Sequence, residues 1–165
     1  MLKKIAFDEF VRLNRGFDLP DKDVVLGDYP VVASTNIKAY HNKYKVNPPV
    51  IVTGRSGSLG KVQYITEKCW PLNTSLYSKD FRGNDPRYIY YYLQTMHLEQ
   101  YNAGAGVPTL NQNHLQKLKI QVHDFEQQKA IRRPAWIQAK RYRINRKVNH
   151  RENYRNEYRK GTRHI

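Results

Sequence analysis

This sequence has few of the features that stabilise secreted or membrane-spanning proteins. It contains a single cysteine, Cys69, which excludes an internal disulfide and is consistent with a reducing compartment. It has no run of 18 apolar residues, so we expect no membrane-spanning helix. The chain turns acidic at Asp8, too early for a signal peptide. We therefore expect a cytoplasmic protein in which Cys69, beside Trp70, is a small core residue.

Acidic residues are also scarce, and their scarcity is uneven along the chain. The formal net charge is +15. Residues 1–130 hold 17 Lys/Arg and 12 Asp/Glu, a net +5, and residues 131–165 hold 12 and 2, a net +10. A basic surface suggests a polyanionic ligand, most plausibly nucleic acid. The alternative is a solvated charged surface with no ligand.

A glycine-rich stretch, Gly54 to Gly60, separates an apolar β-branched run from an alternating one, which predicts a β-hairpin. A phosphate loop has four residues between its two glycines, and its lysine is followed by Ser or Thr. Here five residues separate Gly54 from Gly60, and Val62 follows Lys61. A dinucleotide fingerprint fails because no helix follows. Two interpretations stay open: a hairpin that presents Arg55 and Ser56 to a ligand, and a hairpin without one.

Lysines and aromatic residues interleave between residues 38 and 45. Lysines make sequence-independent phosphate contacts, and aromatic side chains can meet bases or sugars. The alternative is a strand or loop edge kept soluble by lysine. The residues concerned are Lys38, Tyr40, His41, Lys43, Tyr44 and Lys45.

The segment Asn47-Pro48-Pro49-Val50 approaches the signature of amino-methylating DNA enzymes, in which an aromatic residue follows the second proline and stacks on a flipped base. Val50 lacks that stacking face, and we find no glycine-rich loop placed to bind a methyl donor. We interpret the two prolines as a stiff turn before a strand.

The remaining patterns predict a mixture of short helices and strands. We expect a short helix within 6–13 that Gly16 can end, strands over 29–33 and 117–122, and further β structure over 70–78. Asp85 and Pro86 predict the start of a helix with apolar residues at 89, 92, 93 and 96. Asn111 is expected to cap a one-turn helix after a second glycine-rich loop at 102–111. Asp124 is expected to cap a new helix, with Gln127 completing a capping box.

The last 34 residues break these patterns. Pro134 interrupts the helix that has just begun, and no leucine occurs after Leu118. Two explanations stay open: a basic disordered arm, and a reading frame that is not the ancestral one. In either case we expect residues 132–165 not to form a long helix and the domain to fold without them.

Several segments together resemble a target recognition domain from the specificity subunit of a type I restriction-modification system. The resemblance covers roughly residues 5–131. It rests on the order and spacing of a tyrosine-rich helix and of Arg15–Pro20, Tyr29–Ser34, Tyr40–Asn42, Gly54–Val62, Trp70–Thr74, Gly106–Asn111 and Glu126–Gln127. The resemblance ends at Pro134, because the family continues there with a leucine-rich helix that serves dimerisation and docking.

The resemblance implies a compact mixed-sheet α/β domain that reads one half of a split double-stranded DNA site and has no catalysis of its own. Methyltransferase subunits would bring S-adenosylmethionine, a restriction subunit would bring ATP and magnesium, and a homodimer would need an intact helix. It implies that residues 1–124 are the recognition domain and that 125–165 are the start of the helix and a basic tail. The alternatives are a DNA-modifying or DNA-cutting enzyme fragment and an RNA-binding protein.

Within this resemblance, the DNA-contacting candidates are polar or basic residues on the predicted turns and loops. Arg55 is expected to pair with a base, and the lysines are expected to contact phosphate. The full set is Ser34, Thr35, Asn36, Lys38, Tyr40, His41, Lys43, Lys45, Arg55, Ser56, Lys61, Asn73, Thr109 and Asn111. No catalytic or metal-binding residue is expected.

Overall fold

The computed structural model describes residues 1–131, of which Met1–Ala130 form one compact unit. Strands and short helices alternate irregularly along it. Their order is β1 (Leu2–Ala6), α1 (Phe7–Phe10), β2 (Arg12–Arg15), β3 (Leu26–Val32), β4 (Ile37–His41), β5 (Val50–Gly54), β6 (Val62–Ile65), β7 (Trp70–Pro71), β8 (Ser75–Asp80), α2 (Pro86–Thr95), α3 (Gln112–Lys117), β9 (Lys119–His123) and α4 (125–131).

The strands form three sheets, so the expected mixed α/β class is confirmed. An antiparallel four-stranded sheet has the order β2-β8-β5-β6. A mixed three-stranded sheet has the order β4-β3-β7, with β3 antiparallel to β4 and parallel to β7. The third sheet pairs β1 with β9. The predicted hairpin around the first glycine-rich stretch is confirmed, because β5 and β6 pair antiparallel with Thr53 opposite Val62.

The N-terminal helix is shorter than expected. It ends at Phe10 because Val11 takes an extended conformation, and Arg12–Arg15 pair with β8 instead. Gly16 therefore does not end a helix. It is required for a close approach: a Cβ at this position would lie 2.1 Å from the Leu72 carbonyl oxygen.

The helix predicted after Asp85 is confirmed. Asp85 Oδ1 accepts hydrogen bonds of 3.0 Å from the backbone N–H groups of both Arg87 and Tyr88, and so caps α2. Ile89 and Leu93 are fully buried on its inner face. The apolar spacing had therefore identified the face that packs on the core.

Near the end of the described chain, capping side chains fix two helix starts. Asn111 Oδ1 accepts from Asn113 N at 2.9 Å, and α3 runs on to Lys117, so β9 begins two residues later than expected. Asp124 Oδ1 accepts from Gln127 N at 3.0 Å, a hydrogen bond that holds the pKa of Asp124 below its ordinary value. Gln127 Oε1 accepts from the Met1 ammonium at 2.7 Å instead of from the Asp124 N–H, so only the Asp124 half of the expected capping box is formed.

Two apolar clusters fill the interior of the unit. The larger joins α1, α2 and α3 to the sheets and includes Phe7, Phe10, Ile51 and Leu93. The smaller lies between the four-stranded and three-stranded sheets and includes Val32, Val50, Val52 and Cys69. Among residues 1–131, no helix is long and apolar enough to cross a membrane. The expectation for residues 132–165 lies outside the described part of the chain.

Cys69 is buried, as the sequence predicted, and this has a measurable consequence. Burial, reinforced by Glu67, raises the pKa of its thiol to about 12. Because the thiolate is the reactive form, we expect the native chain at pH 8 to react with a thiol reagent at least 100-fold more slowly than the denaturant-unfolded chain. Comparable labelling rates in the two states would contradict this burial.

Candidate nucleic-acid interface

Three segments that are far apart in the sequence are joined by backbone hydrogen bonds. The N–H groups of Arg55 and Ser56 donate to the Thr74 carbonyl oxygen at 2.8 and 3.1 Å. On the other side of the same segment, Leu110 N donates to Arg55 O at 2.8 Å, and Gly57 N donates to Pro108 O at 2.9 Å. We refer to residues 55–60, 72–74 and 102–110 together as the loop cluster. The first hairpin loop is therefore braced from both sides.

The turn between β3 and β4 joins the loop cluster through Ser34. Its side chain is 8% exposed, and its Oγ lies 2.7 Å from Thr74 O and 3.3 Å from Ser56 O. Ser34 therefore holds the loops together, and we remove it from the expected DNA-contacting set. Thr35 and the exposed Asn36 lie on this turn and remain in the set.

Asn102 organises the second glycine-rich loop, a role that the sequence analysis missed. Its Oδ1 accepts from Gly104 N at 2.9 Å and from Thr109 N at 2.8 Å, while Ala103 N donates to Thr109 O at 2.8 Å. The backbone is so tight that a Cβ on Gly104 would lie 2.0 Å from Val107 O. An Asn six residues before Pro108 was the available signal, because Asn side chains commonly bond nearby backbone.

Arg55 is half-buried at the centre of the loop cluster. Its Nη1 donates a long hydrogen bond of 3.5 Å to Asn73 O. A guanidinium has five N–H donors, so this bond leaves capacity to pair with a base or a phosphate. Ser56 and Thr109 are bridged to each other beside it, and Lys61 is exposed at the end of the hairpin loop. The structure thus brings Arg55, Ser56 and Thr109 together, with Lys61 six residues after Arg55 on the same connection.

Asn73 and Asn111 have structural partners. The Asn73 amide donates to Asp18 Oδ1, and Asn111 caps α3. Asp18 also pairs with Arg15 at 3.5 Å, so the turn after β2 is tied to the loop cluster. Both asparagines therefore support the loops.

Tyr40 and His41 are not on the surface, which corrects the expectation that they meet bases. They are 2% and 4% exposed. His41 Nδ1 lies 3.1 Å from Val25 N, and its ring packs edge-on against Trp70 at 5.3 Å between centroids. Stacking on a base requires an exposed ring face, so both residues leave the DNA-contacting set.

The expected lysines lie apart from the loop cluster and differ in their partners. Lys38 Nζ lies 2.6 Å from Asp21 Oδ1. Lys45 lies over the Trp70 ring at 4.8 Å, and Lys43 is exposed. Lys45 N donates to Cys69 O, three residues before the middle segment of the loop cluster begins at Leu72. The three lysines therefore lie outside the loop cluster, on β4 and on the segment that follows it.

Among residues 1–131, no group of three or more His, Cys, Asp or Glu residues is arranged to hold a metal ion. The segment Asn47–Pro49 is an exposed turn leading into β5.

Several solved structures share this fold. The chain superposes with a TM-score of 0.76 and 17% identity on a crystal structure of a type I restriction-modification system S subunit from M. genitalium, covering 96% of this chain and 44% of that one. The HsdS subunit from Thermoanaerobacter tengcongensis gives 0.64 and 12%, covering 92% and 39%. A structure described as explaining complex assembly and conformational transition of the type I R-M system gives 0.66 and 12%, covering 96% and 43%.

The chain thus spans less than half the length of these proteins. No curated protein matches it. A family model described as the type I restriction modification DNA specificity domain matches residues 8–133, about three quarters of the chain. That family's role is DNA specificity, and the match gives no support to a catalytic fragment. The chain belongs to the type I restriction modification DNA specificity domain family.

Proposed function

We propose that this chain reads one half of a split double-stranded DNA site and directs the methyltransferase and restriction subunits of a type I complex to it. The observation that carries the proposal is Arg55, a charged donor on a hairpin loop that two other loops brace, in a DNA specificity domain. A braced donor loses little conformational entropy when it pairs with a base edge. The family assignment favours duplex DNA over RNA.

The remaining DNA-contacting residues divide into two groups. Ser56 and Lys61 follow Arg55 along the hairpin connection, and Thr109 is bridged to Ser56. Thr35 and Asn36 follow Ser34, which bonds to the Ser56 carbonyl. These five residues would contact base edges or the adjacent backbone. Lys38, Lys43 and Lys45 would contact phosphates farther along the duplex, since lysine attracts phosphate without reading sequence. This separation between a reading centre and a basic flank is the usual division of labour in specific DNA binding.

The partner subunits would supply all the chemistry. S-adenosylmethionine would bind to the methyltransferase subunit, and ATP and magnesium to the restriction subunit, so this chain would carry no cofactor. We place the recognition domain at residues 1–124 and the start of the connecting helix at 125, with a homodimer where that helix is intact. We place the chain in the cytoplasm, because that compartment holds the duplex DNA that the proposed complex would read.

Selection from a random duplex pool at fixed salt tests the proposal. The full chain is used alone and with a methyltransferase subunit, and RNA of random sequence is the competitor. We expect one short duplex sequence to be enriched. Enrichment of RNA, or of no sequence under either condition, would overturn the proposal.

Replacing Arg55 with alanine should lower affinity for the selected site by about 1–3 kcal/mol and relax the preference at one base pair. The physical reason is the loss of a bidentate pair to guanine. Competition binding against single-base variants of the site measures it. Arg12→Ala is the matched control, because Arg12, on β2, pairs with Asp8 of α1 away from the loop cluster, and the sequence preference of this variant should be unchanged. Equal loss on all sequences would make Arg55 a phosphate contact.

Neutralising Lys43 or Lys45 should leave the preferred sequence unchanged and reduce the salt dependence of binding. The slope of log affinity against log salt should fall by about one unit for each phosphate that the variant no longer neutralises. Lys38→Ala should change the slope less, because Asp21 already offsets its charge. Lys119→Ala, on β9, is the control. Unchanged slopes for both Lys43 and Lys45 would remove them from the interface.

A further inference from the structure

Val107 is an apolar side chain held out into solvent. It is 60% exposed, and its neighbours Ala105, Gly106 and Pro108 are exposed as well. Single exposed apolar residues are ordinary on protein surfaces. What sets Val107 apart is its position within the loop cluster.

Val107 is fixed beside the hairpin loop that carries Arg55. Its neighbour Pro108 accepts a hydrogen bond from Gly57 N at 2.9 Å, and Thr109 is bridged to Ser56. Behind it, Thr109 Oγ1 donates to Val107 O at 3.0 Å. Any surface that reaches Arg55 and Ser56 therefore comes close to Val107.

The loop backbone at Val107 is also preorganised. Asn102 clamps both ends of the loop, and the Val107 carbonyl fits against Gly104 so closely that a Cβ there would lie at 2.0 Å. Valine itself is stiff, since its β-branched side chain has restricted χ1 rotamers. A stiff apolar group on a fixed loop loses little entropy when it binds, so it suits a specific apolar contact.

The major groove of duplex DNA offers one apolar feature at base edges, the C5-methyl group of a pyrimidine. We propose that Val107 contacts a pyrimidine C5-methyl group, that of thymine in unmodified DNA, and so specifies a base next to the one that Arg55 reads. This inference rests on the proposed function, because it requires the loop cluster to enter a DNA groove.

Deoxyuridine provides the test, because it pairs like thymidine and lacks only the methyl group. Each thymidine of the duplex selected by the full chain is replaced in turn. We expect one position at which this change weakens binding about fourfold, the effect of one buried methyl-sized group. Val107→Ala should bind the thymidine and deoxyuridine duplexes within about 1.5-fold of each other. A parallel series with 5-methylcytidine in place of cytidine separates that source of the methyl group from thymine.

Val25→Ala is the matched control, since Val25 is 54% exposed and lies outside the loop cluster. It should keep the fourfold difference. Val107→Ile, which retains a β-branched apolar side chain, should keep it too. Thermal unfolding is expected to be unchanged in all three variants because both valines are exposed.

The outcomes separate this inference from the proposed function. A selected site that depends on Arg55 but on no pyrimidine methyl group would overturn the role of Val107 alone. A methyl dependence that persists in Val107→Ala would also overturn it. Failure to select any duplex sequence would overturn the proposed function, and the role of Val107 with it.

Discussion

Replacing Gly54 with alanine is expected to displace the hairpin loop and to abolish specific DNA binding. A Cβ at this position would lie 1.8 Å from the Ser58 carbonyl oxygen and 3.3 Å from the Ser34 Cβ. The nearest atom belongs to the backbone, so a side-chain rotation cannot relieve the clash. Overpacking of this kind costs about 1–3 kcal/mol and occasionally more, and we expect the upper end here. Denaturant unfolding measures the loss.

Gly106→Ala is the matched control for this substitution. Gly106 lies in the other glycine-rich loop, and an added Cβ would meet no atom within 4 Å. Its free energy of unfolding should change by less than about 0.5 kcal/mol, the usual range for surface sites. The contrast separates a need for close approach from a general effect of removing glycine. Equal stability of Gly54→Ala and Gly106→Ala would refute the close approach of Ser58.

The sequence pattern was sufficient to predict the hairpin at Gly54 but not the partners of its loop. Alternating apolar residues and three glycines are local signals, and they correctly predicted β5, the loop and β6. The hydrogen bonds to Thr74 and Pro108 join residues that are 18 to 51 positions away along the chain. No local pattern encodes such pairings, so the loop cluster became visible only in the folded chain.

Tyr40 and His41 show a second limit of local patterns. Lysines near aromatic residues predicted an exposed, nucleic-acid-facing strand, and Lys38 is indeed exposed. β4 is an edge strand, yet Ala39, Tyr40 and His41 are all buried in succession. Alternation cannot indicate a strand that is covered on both faces. Trp70, 29 residues later, covers His41, and only the tertiary packing places it there.

Gln128→Ala is expected to destabilise the domain by about 3–5 kcal/mol. Gln128 is a polar residue with only 1% exposure. Its Oε1 accepts from Asp85 N at 2.9 Å, and its Nε2 donates to Asn84 Oδ1 and to His123 O, each at 2.8 Å. Alanine would leave these three groups without their partner, and each buried unsatisfied group costs about 1–3 kcal/mol. For a domain of this size, the midpoint of thermal unfolding should fall by roughly 10 °C.

The neighbouring glutamine provides the control. Gln127 is exposed on the same turn of α4. Gln127→Ala therefore makes the same change in helix propensity as Gln128→Ala without removing a buried amide, and it should shift the thermal midpoint by less than about 2 °C. Because Gln128 joins α4 to the capped start of α2 and to the end of β9, its loss should also loosen the packing of α4 on the domain. Hydrogen exchange at the Asp85 amide, whose N–H donates to Gln128 Oε1, would report that loosening directly. Equal stability of the two glutamine variants would show that the buried amide network does not hold α4 in place.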